Sequence, residues 1–329
     1  MMQAILQSAP GGADTLYPGE TTRPQRQAGQ LLLQVMAAGV NRADIVQRSG
    51  HYPPPPGASN ILGLEVAGVV VEADAGSRFR EGDAVFGLIA GGGYAEYAVL
   101  DEALAIAKPD AMSWVEAASL PEVWMTAWLN LVQVGKVQAG DKVLIHAGAS
   151  GVGATAIQLA RWLGAHPFAS AGSADKLAFC QRLGAEQVFN YKQLPAFSAQ
   201  VKEWGGVDMI LDPVGASYLA ENMASLKQDG RLVNIGLMGG SKSELNLGLL
   251  LVKRLSLIGS TLRSQPLAAK AVLAQALERE ILPALQAGQL QLTLDSSYPW
   301  QQAAEAHAHM EANANLGKVV LTFFPVMTA

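Results

Sequence analysis

The stretch from Lys142 to Gly164, "KVLIHAGASGVGATAIQLARWLG", constrains the fold more than any other part of the chain. A short apolar run ending at His146 leads into a turn rich in Gly and Ala, and apolar residues then recur at helical spacing. Small residues at the start of a helix let phosphate groups approach the backbone N–H groups. The stretch therefore predicts a strand, a phosphate-binding turn and a helix that ends at Gly164.

The segments on either side of this turn repeat the same alternation. Between about Trp124 and Arg263, short apolar runs alternate with amphipathic segments of helical length, which favours βαβ units around a parallel sheet. The runs predict six strands, the number found in a doubly wound nucleotide-binding fold. The predicted strands begin at Lys142, His166, Gln187, Val207, Gly230 and Leu255. An α/β class with a Rossmann domain follows.

The remainder of the chain has a different pattern. Before Pro121, Val-rich runs are broken by Gly and Pro at short intervals, which is typical of a mainly β domain. After Pro266, a helical segment, a strand, a second helix and a final strand are expected. A chain of 329 residues is long enough for two domains. We predict one domain from residues 1–122 and 266–329, with the Rossmann domain at 123–265 between them.

The residues after the second predicted strand bear on the choice of nucleotide. In NAD enzymes, an acidic residue about 20 positions after the Gly-rich turn binds the ribose 2′-OH. Here that place is taken by Gly172 and Ser173, with Lys176 one helical turn later. A hydroxyl donor and a cation suit a 2′-phosphate, so the sequence predicts NADPH rather than NADH. Alternatively, Ser173 only caps the helix and Lys176 is a solvated surface residue. The carboxylate of Asp175 would weaken the attraction between Lys176 and a 2′-phosphate.

Composition and charge exclude several classes of function. The net charge is −5 and the Lys and Arg residues are scattered, so there is no basic patch for nucleic acid. Cys180 is the single cysteine, which rules out an intrachain disulfide. The first residues lack the features of a signal peptide, and the apolar runs are too short to cross a bilayer. We therefore expect a cytoplasmic protein without nucleic-acid or membrane partners.

Six motifs identify a family that the chain resembles over nearly its full length. They are, in chain order, "GVNRAD", "GLEVAG", "GDAVFG", "MTAW", "HAGASGVG" and "GLMGG". Together they resemble the zinc-independent medium-chain dehydrogenases/reductases, in the zeta-crystallin-like NADPH:quinone oxidoreductase branch and nearest its stress-inducible mammalian members. The resemblance implies a GroES-like, mainly β catalytic domain made from both chain ends, and an active site in the cleft beside the Rossmann domain.

The same resemblance bears on metal binding. Zinc alcohol dehydrogenases of this fold hold the catalytic metal with a Cys, the His of a "GHE" motif and a later Cys. Asn41 and Leu64 occupy the first two places here, and no second cysteine is available beside Cys180. His307 and His309 would point to different sides of a helix. We predict no metal site and no alcohol oxidation, because nothing would stabilise the developing alkoxide.

The resemblance also implies the site residues. Asn41 and Thr126 would approach the nicotinamide, and Tyr52 would lie at the lip of the substrate cleft as a candidate proton donor. Asn41, Tyr52 and Thr126 are thus the predicted catalytic residues. The predicted cofactor-binding residues are Asn41, Thr126, Ser150, Gly151, Val152 and Gly153 at the nicotinamide and pyrophosphate, Gly172, Ser173, Lys176 and Tyr191 at the 2′-phosphate end, and Gly236, Leu237, Met238, Leu262, Asn315 and Lys318 around the rest of the cofactor.

The predicted reaction is hydride transfer from C4 of NADPH to a small-molecule quinone, a good electrophile that mainly needs to be held at attack distance. One alternative is an NADPH-dependent enoyl-thioester or enone reductase with the tyrosine at Tyr52 as acid. A second, of another class, is a non-enzymatic crystallin-like or RNA-binding protein. The apolar stretch "LNLGLLLVKRLSLIGSTL" exceeds what a sheet edge usually exposes, which predicts a homodimer.

Overall fold

The computed structural model of the chain describes residues 1–323, whose strands form three sheets. The chain divides into two compact units. The first unit comprises Met1–Met125, Arg263–Pro283 and the described part of Leu292–Ala329, and the second comprises Thr126–Leu262 and Ala284–Gln291. The domain limits at residues 122 and 265 stay a prediction.

The described residues form fifteen strands and eleven α-helices. The strands are β1 (Met2–Gln7), β2 (Leu16–Thr21), β3 (Gln30–Val40), β4 (Glu65–Glu72), β5 (Ala84–Leu88), β6 (Tyr97–Asp101), β7 (Ala105–Ala107), β8 (Lys142–Ile145), β9 (His166–Ala171), β10 (Gln187–Asn190), β11 (Val207–Asp212), β12 (Leu226–Asn234), β13 (Ser256–Gly259), β14 (Leu294–Pro299) and β15 (Lys318–Thr322). The helices are α1 (Arg42–Arg48), α2 (Trp114–Ala118), α3 (Pro121–Trp128), α4 (Gly151–Trp162), α5 (Ala174–Arg182), α6 (Ser198–Glu203), α7 (Leu219–Ser225), α8 (Leu247–Lys253), α9 (Leu267–Ala276), α10 (Leu282–Gln286) and α11 (Ala303–Glu311). Single π-helical turns follow α3 at Leu129–Val134 and α9 at Leu277–Ile281.

The first unit is mainly β, as predicted for a GroES-like domain. Its seven-stranded sheet has the order β14-β15-β3-β4-β5-β7, with β6 paired to β3, and β1 pairs separately with β2. Only the pairing of β14 with β15 is parallel among the pairs in this sheet. The C-terminal segment joins the sheet where β15 pairs antiparallel with β3, Val319 opposite Val40. β15 thus lies in the sheet of the first unit, and the completion of this domain by residues 266–329 stays a prediction.

The second unit contains the predicted parallel sheet. All six strands expected from the sequence are present, in the order β10-β9-β8-β11-β12-β13, and every pair is parallel. The order reverses between β8 and β11, and a ligand crevice in such folds lies beyond the carboxyl ends of the strands at this reversal. Buried aromatic rings pack on the sheet, with Phe189 stacked on Phe197 at 5.1 Å. The doubly wound class is confirmed.

No helix among residues 1–323 has both the length and the apolar character needed to cross a membrane. The cytoplasmic location stays a prediction.

Candidate active site

The nucleotide turn in the second unit joins β8 to α4. Ser150 is the N-cap of α4, and its Oγ accepts a hydrogen bond from the backbone N–H of Gly153 at 3.1 Å. A Cβ on Gly153 would lie 2.3 Å from the Ala147 carbonyl oxygen, so no side chain fits there. The other N–H groups of the first helical turn have no intrahelical acceptor and are open to an anion. The predicted strand, turn and helix are confirmed, and Gly164 follows the last turn with φ of 80°.

The predicted 2′-phosphate residues lie at the carboxyl ends of β9 and β10. Ser173 is the exposed N-cap of α5, and its side chain makes no capping hydrogen bond within the described chain. Lys176 is half-buried in the first turn, and Asp175 beside it is exposed. A Cβ on Gly172 would lie 2.7 Å from the Tyr191 hydroxyl, so these two residues approach closely. The structure brings Gly172 and Tyr191 together, and the Ser173 hydroxyl does not make the capping hydrogen bond that the alternative requires.

The loop after β12 exposes two large apolar side chains. Leu237 is 57% exposed and Met238 is 52% exposed. The backbone beneath them is closely packed, because a Cβ on Gly236 would lie 2.7 Å from the Pro213 carbonyl oxygen. Leu262, which follows β13, is buried. Exposed apolar side chains at the carboxyl end of a sheet strand are typical of a ligand-facing loop.

A buried polar network under the nucleotide turn was missed in the sequence. His146 is the residue after β8, and its ring nitrogens lie 2.8 Å from Ser170 Oγ and 2.7 Å from Asn222 Oδ1. Asn222 Nδ2 in turn donates to Asp212 Oδ2 at 3.1 Å. Burial lowers the pKa of His146, which keeps the imidazole neutral. The ring joins the end of β8 to β9 and α7 directly, and to β11 through Asn222.

Asn41 and Lys318 meet in the first unit around a carboxylate that the sequence analysis did not identify. Lys318 Nζ donates to Glu65 Oε1 at 2.5 Å and to Asn41 Oδ1 at 2.7 Å, and Asn41 Nδ2 donates to Glu65 Oε1 at 2.8 Å. All three side chains are buried. A charged residue within the apolar strand β4 was the available signal for Glu65, because a buried charge requires a partner.

A second polar chain lies beside this cluster. Arg48 only donates, so the Nδ1 of His307 accepts from it at 3.1 Å and Nε2–H donates to the Tyr94 hydroxyl at 3.0 Å. The Tyr94 O–H donates to Asp44 Oδ2 at 3.2 Å. Burial raises the pKa of Asp44 to about 6. Burial, followed by the charges of Arg48 and Arg42, lowers the pKa of His307 to about 3.

Glu122 is another residue that the sequence analysis missed. It is the second residue of α3, and its backbone N–H donates to Glu65 Oε2 at 2.8 Å. The side chain is half-buried. Loss of hydration and the nearby charge of Glu65 raise the pKa of Glu122 to about 8. No sequence pattern signals this, because the two carboxylates come from separate segments.

Tyr52 lies beneath an arginine in the first unit. The guanidinium of Arg263 is 5.1 Å from the centre of the Tyr52 ring and donates to the Ala90 carbonyl oxygen at 2.8 Å. Burial raises the pKa of Tyr52, and Arg263 opposes this shift. The phenol is therefore a weaker acid than a free tyrosine.

The last two predicted site residues are buried. Thr126 lies in α3, where its carbonyl oxygen accepts from Asn130 Nδ2 at 2.8 Å. Asn315 Nδ2 donates to the Gly317 carbonyl oxygen at 2.8 Å. Thr126 belongs to the second unit, whereas Asn315 belongs to the first.

Metal-ligating groups are dispersed. Within residues 1–323, His, Cys, Asp and Glu nowhere form a group of three or more that could hold a metal ion. His307 and His309 contact different partners, since His309 Nε2 lies 2.8 Å from Asp295 Oδ2. Burial raises the pKa of the Cys180 thiol to about 12, so it does not offer a thiolate.

Comparisons with known proteins find similarity over nearly the whole chain. The family model for the alcohol dehydrogenase GroES-like domain matches residues 27–110, and the model for zinc-binding dehydrogenase matches residues 151–279. The chain is 30% identical to the quinone oxidoreductase of Homo sapiens over 98% of each chain. It is similar to the structure of a mycobacterial protein complexed with NADPH, with a TM-score of 0.88, 30% identity and coverage of 98% of this chain and 100% of that one. The CurK enoyl reductase has a TM-score of 0.83, 28% identity and coverage of 98% and 99%.

Proposed function

The chain belongs to the medium-chain dehydrogenase/reductase family of oxidoreductases, and we propose that it reduces quinones by zinc-independent hydride transfer from NADPH. The observation that carries the proposal is the chemistry at Asn41. By the resemblance of "GVNRAD", the Asn41 amide, which contacts Lys318 and Glu65, would take the place of the metal-binding Cys of zinc alcohol dehydrogenases. An amide is no Lewis acid, so the substrate must already be a good electrophile, as quinones are.

The second unit fits the cofactor at two places. The start of α4, where Gly153 excludes a side chain, would hold the pyrophosphate on backbone N–H groups. Ser173, Lys176 and Tyr191 would hold the 2′-phosphate, with a hydroxyl and a cation in place of the acidic residue that binds a free ribose. NADPH would supply a hydride from its reduced nicotinamide ring.

The first unit would stabilise the charge that develops on the substrate. Asn41 has two Nδ2–H donors, and within the described residues Glu65 accepts one of them. The second donor would face an oxygen that becomes anionic. Because Lys318 and Glu65 fix the amide on both sides, it needs little reorganisation during the reaction. Tyr52 and Arg263 would line the substrate side of the same unit.

A second candidate function is the reduction of enoyl thioesters or enones. It is favoured by the similarity to the CurK enoyl reductase over nearly the whole chain. The two candidates differ in acid requirement, because an enolate must be protonated on carbon whereas a hydroquinone anion is protonated on oxygen.

NADPH consumption with ortho-quinones, para-quinones and enoyl thioesters tests the proposal. We expect turnover with quinones to exceed turnover with the thioesters. Thioester turnover at equal or higher kcat/KM would replace the quinone assignment by the enoyl one. A saturable change in NADPH fluorescence on titration with the protein separates both from a non-enzymatic role.

The cofactor preference is tested by Lys176→Ala, with Lys202→Ala on the exposed face of α6 as the control. Loss of a charge-assisted contact to the 2′-phosphate should weaken NADPH binding by about tenfold or more and leave NADH binding unchanged. Equal affinities of the wild type for NADPH and NADH would contradict the roles of Ser173 and Lys176.

We further propose that the chain forms a homodimer through the β13 edge of the parallel sheet. On α8 beside this edge, Leu251 is 74% exposed and Val252 is 77% exposed. An open sheet edge with apolar neighbours is a favourable surface for a second copy. The double variant Leu251→Glu/Val252→Glu should sediment as a monomer, whereas Val272→Glu on α9 should not change the mass. A monomeric wild type would refute the dimer.

A further inference from the structure

The carboxylate of Glu65 is fully engaged by three donors. Its Oε1 accepts from Lys318 Nζ and from Asn41 Nδ2, and its Oε2 accepts from the backbone N–H of Glu122. Charge-assisted hydrogen bonds of this kind hold a carboxylate in one position. A fixed negative charge therefore lies beside the start of α3.

The carboxyl group of Glu122 is the second acid at this place, and it is held differently. Only its backbone is anchored, and within the described chain its side-chain oxygens accept no hydrogen bond from another residue. The side chain is half-buried rather than enclosed. A carboxyl that lacks donors and adjoins an existing negative charge retains its proton more readily than a free one.

The charges that face Glu122 come from several elements. Glu65 and Asp44 favour the protonated form, whereas Lys318, Arg263 and Lys270 favour the ionised form. Tyr52 is the other titratable neighbour. Loss of hydration is the largest contribution, and the pKa of Glu122 comes to about 8. The group therefore holds its proton at neutral pH and still releases it to a modest base.

From the anchored backbone, the free carboxyl and the adjoining Glu65–Lys318–Asn41 cluster, we propose that Glu122 is the general acid that protonates the reduced substrate. This inference rests on the proposed reduction of quinones. It places the acid in the same unit as Asn41, which would stabilise the oxyanion before the proton arrives. Glu122 rather than Tyr52 would then be the proton donor, because the Tyr52 phenol binds its proton more tightly than a free tyrosine.

The proton balance of the step is complete. A quinone that accepts a hydride gains two electrons and one hydrogen and becomes a hydroquinone monoanion. The O–H bond of Glu122 then breaks and an O–H bond forms on the anionic oxygen. The Glu122 carboxylate recovers a proton from water, so one proton from solvent is consumed in each turnover. With an enone, the same proton would go to the α-carbon of the enolate.

The first test compares the pH profiles of Glu122→Gln and the wild type with a para-quinone and an enone. We expect wild-type kcat to fall as pH rises through about 8, because the acid form is lost. At pH 7 the kcat of Glu122→Gln should be about 100-fold lower than that of the wild type. Its pH profile should lack the decrease near pH 8, and its kcat should show no solvent deuterium isotope effect. Glu122→Asp, which retains a carboxyl, should recover part of the rate. Glu81→Gln, at an exposed glutamate, is the matched control.

The second test does not depend on activity. Infrared difference titration of the NADPH-free protein should show a protonated carboxyl band that disappears near pH 8 in the wild type and in Glu81→Gln, but is missing in Glu122→Gln. A wild type without that band overturns the inference. So does an active Glu122→Gln enzyme with an unchanged pH profile. A wild type that reduces no quinone instead overturns the proposed function and this role with it, so the two failures are distinguishable.

Discussion

Replacement of Lys318 by methionine should destabilise the first unit more than its single side chain suggests. Lys318 Nζ donates to the Val40 carbonyl oxygen at 3.0 Å as well as to Asn41 and Glu65. The Lys318 and Glu65 side chains are 4% and 0% exposed. Methionine has a similar length and leaves little cavity, so the main effect is the loss of the charge. Glu65 would then carry a buried negative charge without its cation.

The magnitude follows from this burial. Removal of one partner from a buried ion pair costs about 3–5 kcal/mol, because the other charge remains without compensation. The Glu65→Gln variant should be destabilised for the same reason, because Lys318 would then carry a buried positive charge without its partner. In the double variant Glu65→Gln/Lys318→Met both charges of this pair are gone, so neither is left buried without its partner, and the cost should be less than the sum of the two single costs by about 2–3 kcal/mol.

Thermal unfolding measured by calorimetry without cofactor provides the assay. A loss of 3–5 kcal/mol corresponds to a decrease in Tm on the order of 10 °C for a unit of this size. Lys202→Met, at an exposed position on α6, is the control and should shift Tm by little. If the two single effects add in the double variant, the charges are independent, and the argument from a buried pair is refuted.

Three further substitutions test other parts of the structure. Gly153→Ala places a Cβ 2.3 Å from the Ala147 carbonyl oxygen, so the turn must shift. NADPH binding, measured by fluorescence titration, should weaken by at least about tenfold while the circular dichroism spectrum is retained, and an unchanged affinity would contradict the tight turn. His307→Gln should make stability less sensitive to acid: in the wild type the unfolded imidazole binds a proton below the ordinary pKa of 6.5, whereas the folded one does so only near 3, so the free energy of unfolding decreases as pH falls between these values. If urea unfolding shows the same decrease in stability between pH 7 and 5 in the variant and the wild type, this explanation is wrong. Asp44→Asn should change the pH dependence of stability in the opposite direction, because the folded pKa of wild-type Asp44 is about 6 and the ordinary value is 3.8, so Asp44 adds stability as pH falls between these values. A variant whose free energy of unfolding depends on pH as in the wild type would show that Asp44 does not titrate.

The sequence determined the parts of this protein that depend on neighbouring residues. The six strands of the parallel sheet were predicted because apolar runs and helical periodicity are local patterns. The turn from His146 to Gly153 was also predictable, since Ser150 and the small residues that follow act on their own backbone. The roles of Ser173 and Lys176 stay predictions, although the structure places both at the expected helix start.

Only the tertiary structure decided which polar groups meet. Asn41 and Lys318 are 277 residues apart in the chain, and the pairing of β15 with β3 brings them into contact. The same fold places Glu122 against Glu65 and sets its pKa through burial and charges from several segments. Hydration and Coulomb interactions depend on distances in space, not on spacing in the sequence. The acid–base properties of the candidate site therefore could not be obtained from the chain alone.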